Sequence, residues 1–525
     1  MNRSAGILLP ITSLPSPYGI GTFGKKAYEF VDFLHDAGQT WWQLLPLGHT
    51  GFGDSPYQTF STTAGNPYFV DLEMLAEDGL LSREELDGIN WGTNPSYVDY
   101  GKVYESRYRM LKKAYRAGWD RDLPEIADFG EENVSWLRDY ALYMALKDHF
   151  EGKPWYEWPE EIRNAHCTED GREVMDRYSD ELRDEVNFYI YIQYLFFKQW
   201  EELHDYAREK GISFMGDVPI YVPLDSVDMW ANPHLFQLDE DLVPTKVAGV
   251  PPDYFSEDGQ LWGNPLYDWD RMKEDGYQWW IDRLENAQNM FEAIRIDHFR
   301  GLASYWAVPY GEETARNGEW VPGPGEDFID AITESGLTAE LIAEDLGILT
   351  EDVYELMDYA GYPGMKILEF SFDSPEPNNY RPYKYDRNCV CYAGTHDNAP
   401  VRQWFSELNP YGKDFAVRYM ALSEQEGITE GVLRTGLSSV ADLFIAQIQD
   451  WLDLGKESRM NAPGVLGAGN WEWRLTEGMI NDTLAEHILE CTRRYERQRI
   501  DTIENDTGSG SDHSEGSEDS GDAES

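Results

Sequence analysis

Apolar residues along the chain fall into short continuous runs separated by longer stretches of helical spacing. Residues 5–11 form one such run and lead into a Pro/Gly loop. Phe30, Val31, Phe33 and Leu34 then repeat at helical spacing within 25–37, with Gly38 where a helix would stop. Residues 40–47 form a second run, closed by Pro46 and Gly48. Strand, helix and strand in that order predict a βαβ unit and hence a parallel sheet. From 72 to 210 the pattern becomes mostly helical, most clearly at 136–149 and 185–209, and the βαβ rhythm is lost. This span reads as a large helical insertion. Strand-like runs return at 212–218, 291–296, 339–343, 365–370 and 389–393, each followed by loop and helix patterns, and 225–275 reads as a loop insertion. Several parallel strands within one chain predict an α/β barrel, a single catalytic unit over residues 1–500.

Composition narrows what such a fold can do. Forty-three Lys and Arg stand against 97 Asp and Glu, a net charge of −54, which opposes binding to nucleic acid or to an anionic membrane. With 41% hydrophobic residues, 19 Trp, 33 Tyr and 22 Phe, the chain carries far too much aromatic mass for an acidic disordered protein. Residues 501–525 hold nine acidic residues and no Lys or Arg among Ser and Gly, the composition of a disordered acidic tail. Without it −45 remains, so the excess acid is spread over the folded surface. That distribution reads as adaptation to a salt-rich cytoplasm, because at molar salt the Debye length falls to about 3 Å and self-repulsion is screened. A surface for cations or a basic partner would instead concentrate its acids locally.

No apolar stretch approaches the roughly 20 residues of a membrane helix. The run 6–9 after Arg3 is broken by Pro10 and is too brief for a signal-peptide core, so cytoplasmic residence is expected. Cys167, Cys389, Cys391 and Cys491 show neither a disulfide framework nor a zinc spacing and read as buried thiols. Cys389 and Cys391, two apart on a strand, would face the same side.

Gly19, Gly21 and Gly24 form a GxGxxG between a strand and a helix, where a dinucleotide fingerprint would lie. Pro15 and Pro17 lengthen that turn, however, and the second strand ends without the acidic residue that holds a ribose. The glycines read instead as points of close backbone approach. More informative are the carboxylates at the ends of strand-like runs: Asp217 in FMGDVPIYV, Asp297 in AIRIDHFRG, Glu344 in LIAEDLG and Asp397 in YAGTHDN. One alone is often a helix cap or a loop acceptor. At the C-terminal ends of barrel strands, four would meet in one pocket, with Arg295 and His396 beside them. Paired carboxylates in an aromatic-rich cleft suit glycosyl transfer, in which one attacks the anomeric carbon while a protonated partner serves the leaving oxygen. Arg295, two residues before Asp297, would keep it ionised, and burial among carboxylates would raise the pKa of Glu344.

The motifs SLPSPYGIGTFG, QLLPLGHTGFGDSPYQTFSTTAGNP, GDVPIYV, GVPPDYFSEDGQLWGNPLYDW, RIDHFRGLASYWAVP, AEDLG, PGMKILEF, THDN, RMNAPG and GNWEWR cover nearly the whole chain except the tail and much of the helical insertion. Together they resemble the amylomaltase or disproportionating 4-α-glucanotransferases, glycoside hydrolase family 77 of the α-amylase clan. The resemblance implies a (β/α)8 TIM barrel that disproportionates α-1,4-glucans and maltooligosaccharides, with glucose as an acceptor, no cofactor or metal, and a monomer or weak oligomer. It also implies Asp297 as nucleophile, Glu344 as acid/base and Asp397 as the third carboxylate. Substrate binding is implied for Tyr57, Asp217, Arg295, His298, His396 and Asn461, and for Asp253, Tyr254, Phe255 and Trp262 on a loop over the cleft. For Asp217 a purely organising role is the alternative. Two segments depart from the family pattern: Ala399 and Pro400 follow THDN, and VLGAGN follows RMNAPG. The rivals are a hydrolase of the same clan, separated by its products, and a glucan-binding scaffold, which would lack one of the carboxylates. An oxidoreductase would need the dismissed glycine motif.

Overall fold

The computed structural model describes residues 2–498 except 52, 253–255, 348, 373, 375, 377, 466 and 468. Twelve strands are present among them: β1 (Ser4–Leu8), β2 (Trp41–Gln43), β3 (Ser213–Val218), β4 (Lys246–Val250), β5 (Gln260–Pro265), β6 (Ala293–Ile296), β7 (Ser304–Pro309), β8 (Glu319–Pro322), β9 (Glu340–Ala343), β10 (Gly364–Ile367), β11 (Cys389–Tyr392) and β12 (Leu443–Gln447). Eight of them close into a parallel barrel in the order β1-β12-β11-β10-β9-β6-β3-β2. The predicted (β/α)8 barrel is therefore present.

The strands are continuous apolar runs because both of their faces are buried. Leu8, Met215, Ala293, Ile342, Met365, Val390, Tyr392, Leu443 and Ile445 fill one buried cluster, while their neighbours Ile7, Phe214, Ile294, Leu341, Cys391 and Phe444 join the cluster that includes the helices. This is the period-two alternation of a strand whose inner face fills a barrel and whose outer face meets helices. Cys389 and Cys391 share the helix-facing cluster, as their spacing predicts.

The eighth strand, β12, is not apparent in the sequence. LFIAQ is followed directly by the short helix Ile448–Trp451, so apolar residues continue at helical spacing across the junction and hide the five-residue strand. A second sheet, in the order β5-β4-β7-β8, is also new. Its pairings are antiparallel, and β4 and β5 come from the region read as loop because of its Gly and Pro content.

Between β2 and β3 the described residues form helices, the longest being Arg183–Glu209. Gln193 of that helix accepts from Gly65 N at 2.8 Å and donates to Gly65 O at 2.9 Å. Gln199, a further turn and a half along, holds Asp71 N and O in the same way. Both amides are buried, so each replaces water at a main-chain pair that would otherwise be left unsatisfied. The loop that carries Tyr57 is thus fixed to the helices.

The N-terminal glycines serve close approach, as read. A Cβ on Gly21 would lie 1.8 Å from Ile11 O, and one on Gly24 would lie 2.2 Å from Asp71 Oδ2. Asp71 in turn caps the helix Leu72–Glu77 through Met74 N.

Candidate active site

The site is assembled where β3, β6, β9 and β11 end. Asp217 near the end of β3 and Arg295 near the end of β6 are register partners, so their side chains emerge on the same face of the barrel wall. Arg295 Nη1 lies 2.7 and 2.8 Å from the two oxygens of Asp217, and its Nη2 lies 2.8 Å from Asp297 Oδ1. One guanidinium therefore bridges two carboxylates, a geometry that a planar fork provides and an ammonium cannot. The side chains of Asp217 and Arg295 are 0% and 4% exposed, while that of Asp297 is 30% exposed. Asp217 and Arg295 form the enclosed floor, and Asp297 opens to the cleft. Both oxygens of Asp217 are engaged by Arg295, and one of them also accepts from the Tyr57 hydroxyl at 2.7 Å.

Asp297 follows β6 directly, with its backbone N donating to Val218 O at 3.0 Å. The next residue, His298, has φ of 52°, a left-handed conformation that costs a non-glycine residue about 1–2 kcal/mol. The turn directs the His298 backbone N at Glu344 Oε2, 2.7 Å away. Leu346 N donates to the other oxygen, Oε1, also at 2.7 Å. Glu344, just past β9, is buried with both oxygens held. Burial raises its pKa to about 8, and the neighbouring Asp297 adds to the rise, against the opposing pull of Arg295 and the two backbone N–H groups.

Burial also raises the pKa of Asp297, with Asp217 and Asp397 adding to it while Arg295 and His396 oppose. Arg295, expected to favour the ionised form, does lower this pKa but does not cancel the rise. The low-dielectric surroundings outweigh the ion pair. The direct contact with Arg295 nevertheless distinguishes the two carboxyls: Asp297 has a cation at 2.8 Å, whereas both oxygens of Glu344 are held by backbone amides.

Asp397 lies beyond β11 with its side chain 42% exposed. Asn461 Nδ2 donates to its Oδ1 at 2.6 Å, and His396 Nε2 is 3.4 Å from the same oxygen. Arg459 ties this corner together, donating to Asp397 O at 3.0 Å and to Asn461 O at 2.8 Å. The His396 ring stacks on Tyr57 with centroids 5.4 Å apart, and its Nε2 is 2.8 Å from the Tyr57 hydroxyl. Because that hydroxyl donates to Asp217, the hydrogen-bond network assigns the proton to His396 Nε2. Trp262, on β5, sets its ring edge-on to that of His298 at 4.7 Å. Burial, with Arg300 nearby, lowers the His298 pKa to about 3, so the imidazole is neutral.

The structure thus brings together Tyr57, Asp217, Arg295, Asp297, Glu344, His396, Asp397 and Asn461 in one network, with His298 and Trp262 adjoining it. Asp253, Tyr254 and Phe255 lie outside the described residues. Several contributors were not anticipated. Trp471, in GNWEWR, places its ring 6.0 Å from both Tyr57 and His396, on a backbone with φ of 66°. Asp345, beside Glu344, accepts from Met365 N at 2.6 Å and pairs with Lys366 at 3.1 Å, locking the end of β9 to β10. The acid in AEDLG and the Trp in GNWEWR were available as signals, but only the fold shows which neighbour faces the site. A cavity of about 270 Å³ adjoins Tyr57, Asp217 and Tyr221, bounded by Phe129, Phe197 and Trp200 of the helices.

The profile of glycoside hydrolase family 77, 4-alpha-glucanotransferase, matches residues 9–480. A 4-alpha-glucanotransferase of Clostridium butyricum is 47% identical over 489 residues, 93% of this chain and 99% of the relative. One of Thermus thermophilus is 44% identical over 506 residues, 94% of this chain and 99% of the relative. Among solved structures, amylomaltase from Streptococcus agalactiae in complex with acarbose superposes with a TM-score of 0.91 at 41% identity, covering 95% of this chain and all of that one. With matches of this extent, and with the carboxylates gathered at the barrel mouth, the chain belongs to glycoside hydrolase family 77, the 4-alpha-glucanotransferases, which transfer segments of glucan.

Proposed function

We propose that the chain transfers α-1,4-glucan segments by a retaining double displacement. In the first step an oxygen of Asp297 bonds to the anomeric carbon. The bond from that carbon to the 4-oxygen of the leaving glucan breaks, and the proton of Glu344 passes to that oxygen. In the second step the 4-hydroxyl of an acceptor gives its proton to Glu344 and attacks the anomeric carbon, releasing Asp297. Two inversions leave the α configuration unchanged. The observation that carries this reading is the unlike setting of the two carboxyls: Glu344 buried and raised to about 8, Asp297 paired with Arg295 and opening to the cleft. An acid that keeps its proton at neutral pH and a nucleophile beside a cation are what the first step needs.

Asp397, partly exposed and held by Asn461, is suited to binding sugar hydroxyls as charge develops at the anomeric carbon. Neutral His298 is suited to hydroxyl contacts, and His396 lies beside Asp397 where it too could meet a sugar hydroxyl. Trp262 and Trp471 offer apolar walls on which a sugar face can stack and from which water is excluded. A drier cleft favours transfer to a sugar over hydrolysis. Maltooligosaccharides are the proposed donors and glucose the smallest acceptor, with the protein working in the cytoplasm without a cofactor. Residues 1–500 form the proposed catalytic unit, and the loop at Asp253, Tyr254 and Phe255 is proposed to contact the glucan.

Chromatography of the products from maltotriose tests the reading. Glucose together with a ladder of oligomers longer than maltotriose is expected. Glucose and maltose alone would make the protein a hydrolase.

A further inference from the structure

Away from the barrel mouth, three side chains of metal-binding type converge between two helices. His487 and Cys491 are four residues apart on the helix Asp482–Arg494, so they lie on one face a turn apart. Glu430 comes from the facing helix Ile428–Ser438. Its Oε2 is 3.0 Å from His487 Nε2 and its Oε1 is 3.3 Å from Cys491 Sγ. One atom of each residue lies within 4.8 Å of the other two. Cys491 is buried, whereas the side chains of Glu430 and His487 are 27% and 44% exposed, so the cluster has a dry side and a wet side. The Trp451 ring packs edge-on against His487 at 6.3 Å.

We propose that Glu430, His487 and Cys491 form a binding site for a thiophilic divalent metal ion of the zinc class. Around tetrahedral zinc, bonds of about 2.0–2.3 Å to nitrogen, oxygen and sulfur place the ligand atoms roughly 3.3–3.6 Å apart. The 3.0 Å contact ends on Glu430 Oε2 and the 3.3 Å contact on Oε1, so an ion would take the carboxylate through both oxygens, or after a small rotation, once the thiol and the His487 N–H that now donate to it have given up their protons. The exposed side beside His487 leaves room for water as the fourth ligand. Thiolate and imidazole select zinc or cobalt over magnesium and calcium. That preference matters in a chain with 97 acidic residues, whose acidic surface attracts hard cations without regard to site.

The position gives the ion a structural use. The helix Asp482–Arg494 also carries Thr492, bonded to Gln39 after the first barrel helix, and leads to Arg497. The Arg497 guanidinium binds the carbonyls of Ser4, Leu437, Ser439, Ala441 and Asp442, where β1 meets β12. Glu430 lies on the helix that precedes β12. An ion bound by these three residues clamps the last helix onto the seam at which the first and last strands close the barrel.

The test is titration of the full-length, tag-free protein with cobalt(II) after removal of metal by chelation, read by absorption. A thiolate-to-cobalt charge-transfer band that saturates at one equivalent and is displaced by zinc is expected. It should persist in Cys167→Ala, vanish in Cys491→Ala, and need at least tenfold more cobalt in His487→Gln. Zinc should raise the thermal midpoint of the wild type but not of Cys491→Ser. If Cys491→Ala fails to fold by circular dichroism, Cys491→Ser and His487→Gln carry the test. Absence of the band in wild type, or its persistence when Cys491 is replaced, would overturn the proposal and leave a carboxylate shared by two hydrogen-bond donors.

Discussion

At the scale of single residues, the account depends on how one arginine and two backbone amides distinguish chemically similar carboxyls. Glu344 has a folded-state pKa raised to about 8, far above that of an exposed carboxyl, so it favours the folded state while protonated. That contribution is full below the ordinary carboxyl pKa of about 4.3, declines steadily as pH rises from there, and is gone above about 8. Because the proposed first step uses the same proton, transfer should fall along an alkaline limb centred near pH 8, measured as kcat/KM for maltotriose. A limb near pH 5 and no loss above 8 would contradict the assignment. Glu344→Gln should lower transfer about 10²–10⁴-fold, the usual worth of a general acid, while removing the fall in stability that this group causes between about pH 4 and 8. Arg295→Lys should cost activity although it keeps the charge, since an ammonium cannot span Asp217 and Asp297 as the fork does. The four strand-end carboxylates were legible because they interrupt apolar runs. That Asp217 is enclosed while Asp297 and Asp397 open to the cleft was not, because exposure depends on the partners each strand meets.

At the scale of elements, the strands with a clear apolar run and a polar stop were legible, each within a few residues. β12 was hidden by the apolar residues that continue into the next helix, and β4 and β5 by Gly249, Pro251, Gly263 and Pro265. Turn-forming residues inside a run argue against a strand unless a sheet partner is known. The joining of the helices to the Tyr57 loop was also invisible, since it rests on Gln193 and Gln199, isolated polar residues within an apolar helical face. Gln193→Leu leaves Gly65 N and O without partners in a buried place, so a loss of about 1–3 kcal/mol in urea unfolding is expected. Gln193→Glu should retain part of it, because the acceptor for Gly65 N remains. A neutral Gln193→Leu variant would mean that water satisfies the pair.

For the whole molecule, the dominant fact is a charge of −54, of which −45 lies before residue 501. Charges spread over a folded surface repel over about 10 Å at 0.1 M salt and over about 3 Å at 1 M. The thermal midpoint should therefore rise as KCl is increased from 0.1 to 2 M, and a chain ending at residue 500 should show nearly the same rise. A flat profile, or one abolished by removing the tail, would refute this reading of the surface. The closed barrel was legible at this scale from the recurrence of short apolar runs and from motifs spread over the chain. The second sheet was not, because its four strands are contributed by segments on both sides of β6.

The most direct test of the central claim uses Glu344→Gln and α-maltotriosyl fluoride. Fluoride leaves without a proton from residue 344, whereas the second step still lacks its base, so a glycosyl-enzyme should accumulate. Intact-mass measurement should show one added maltotriosyl group, and peptide mapping should place it on Asp297. An unmodified chain from a folded variant that consumes the fluoride, or a label on another residue, would contradict the double displacement proposed for this site.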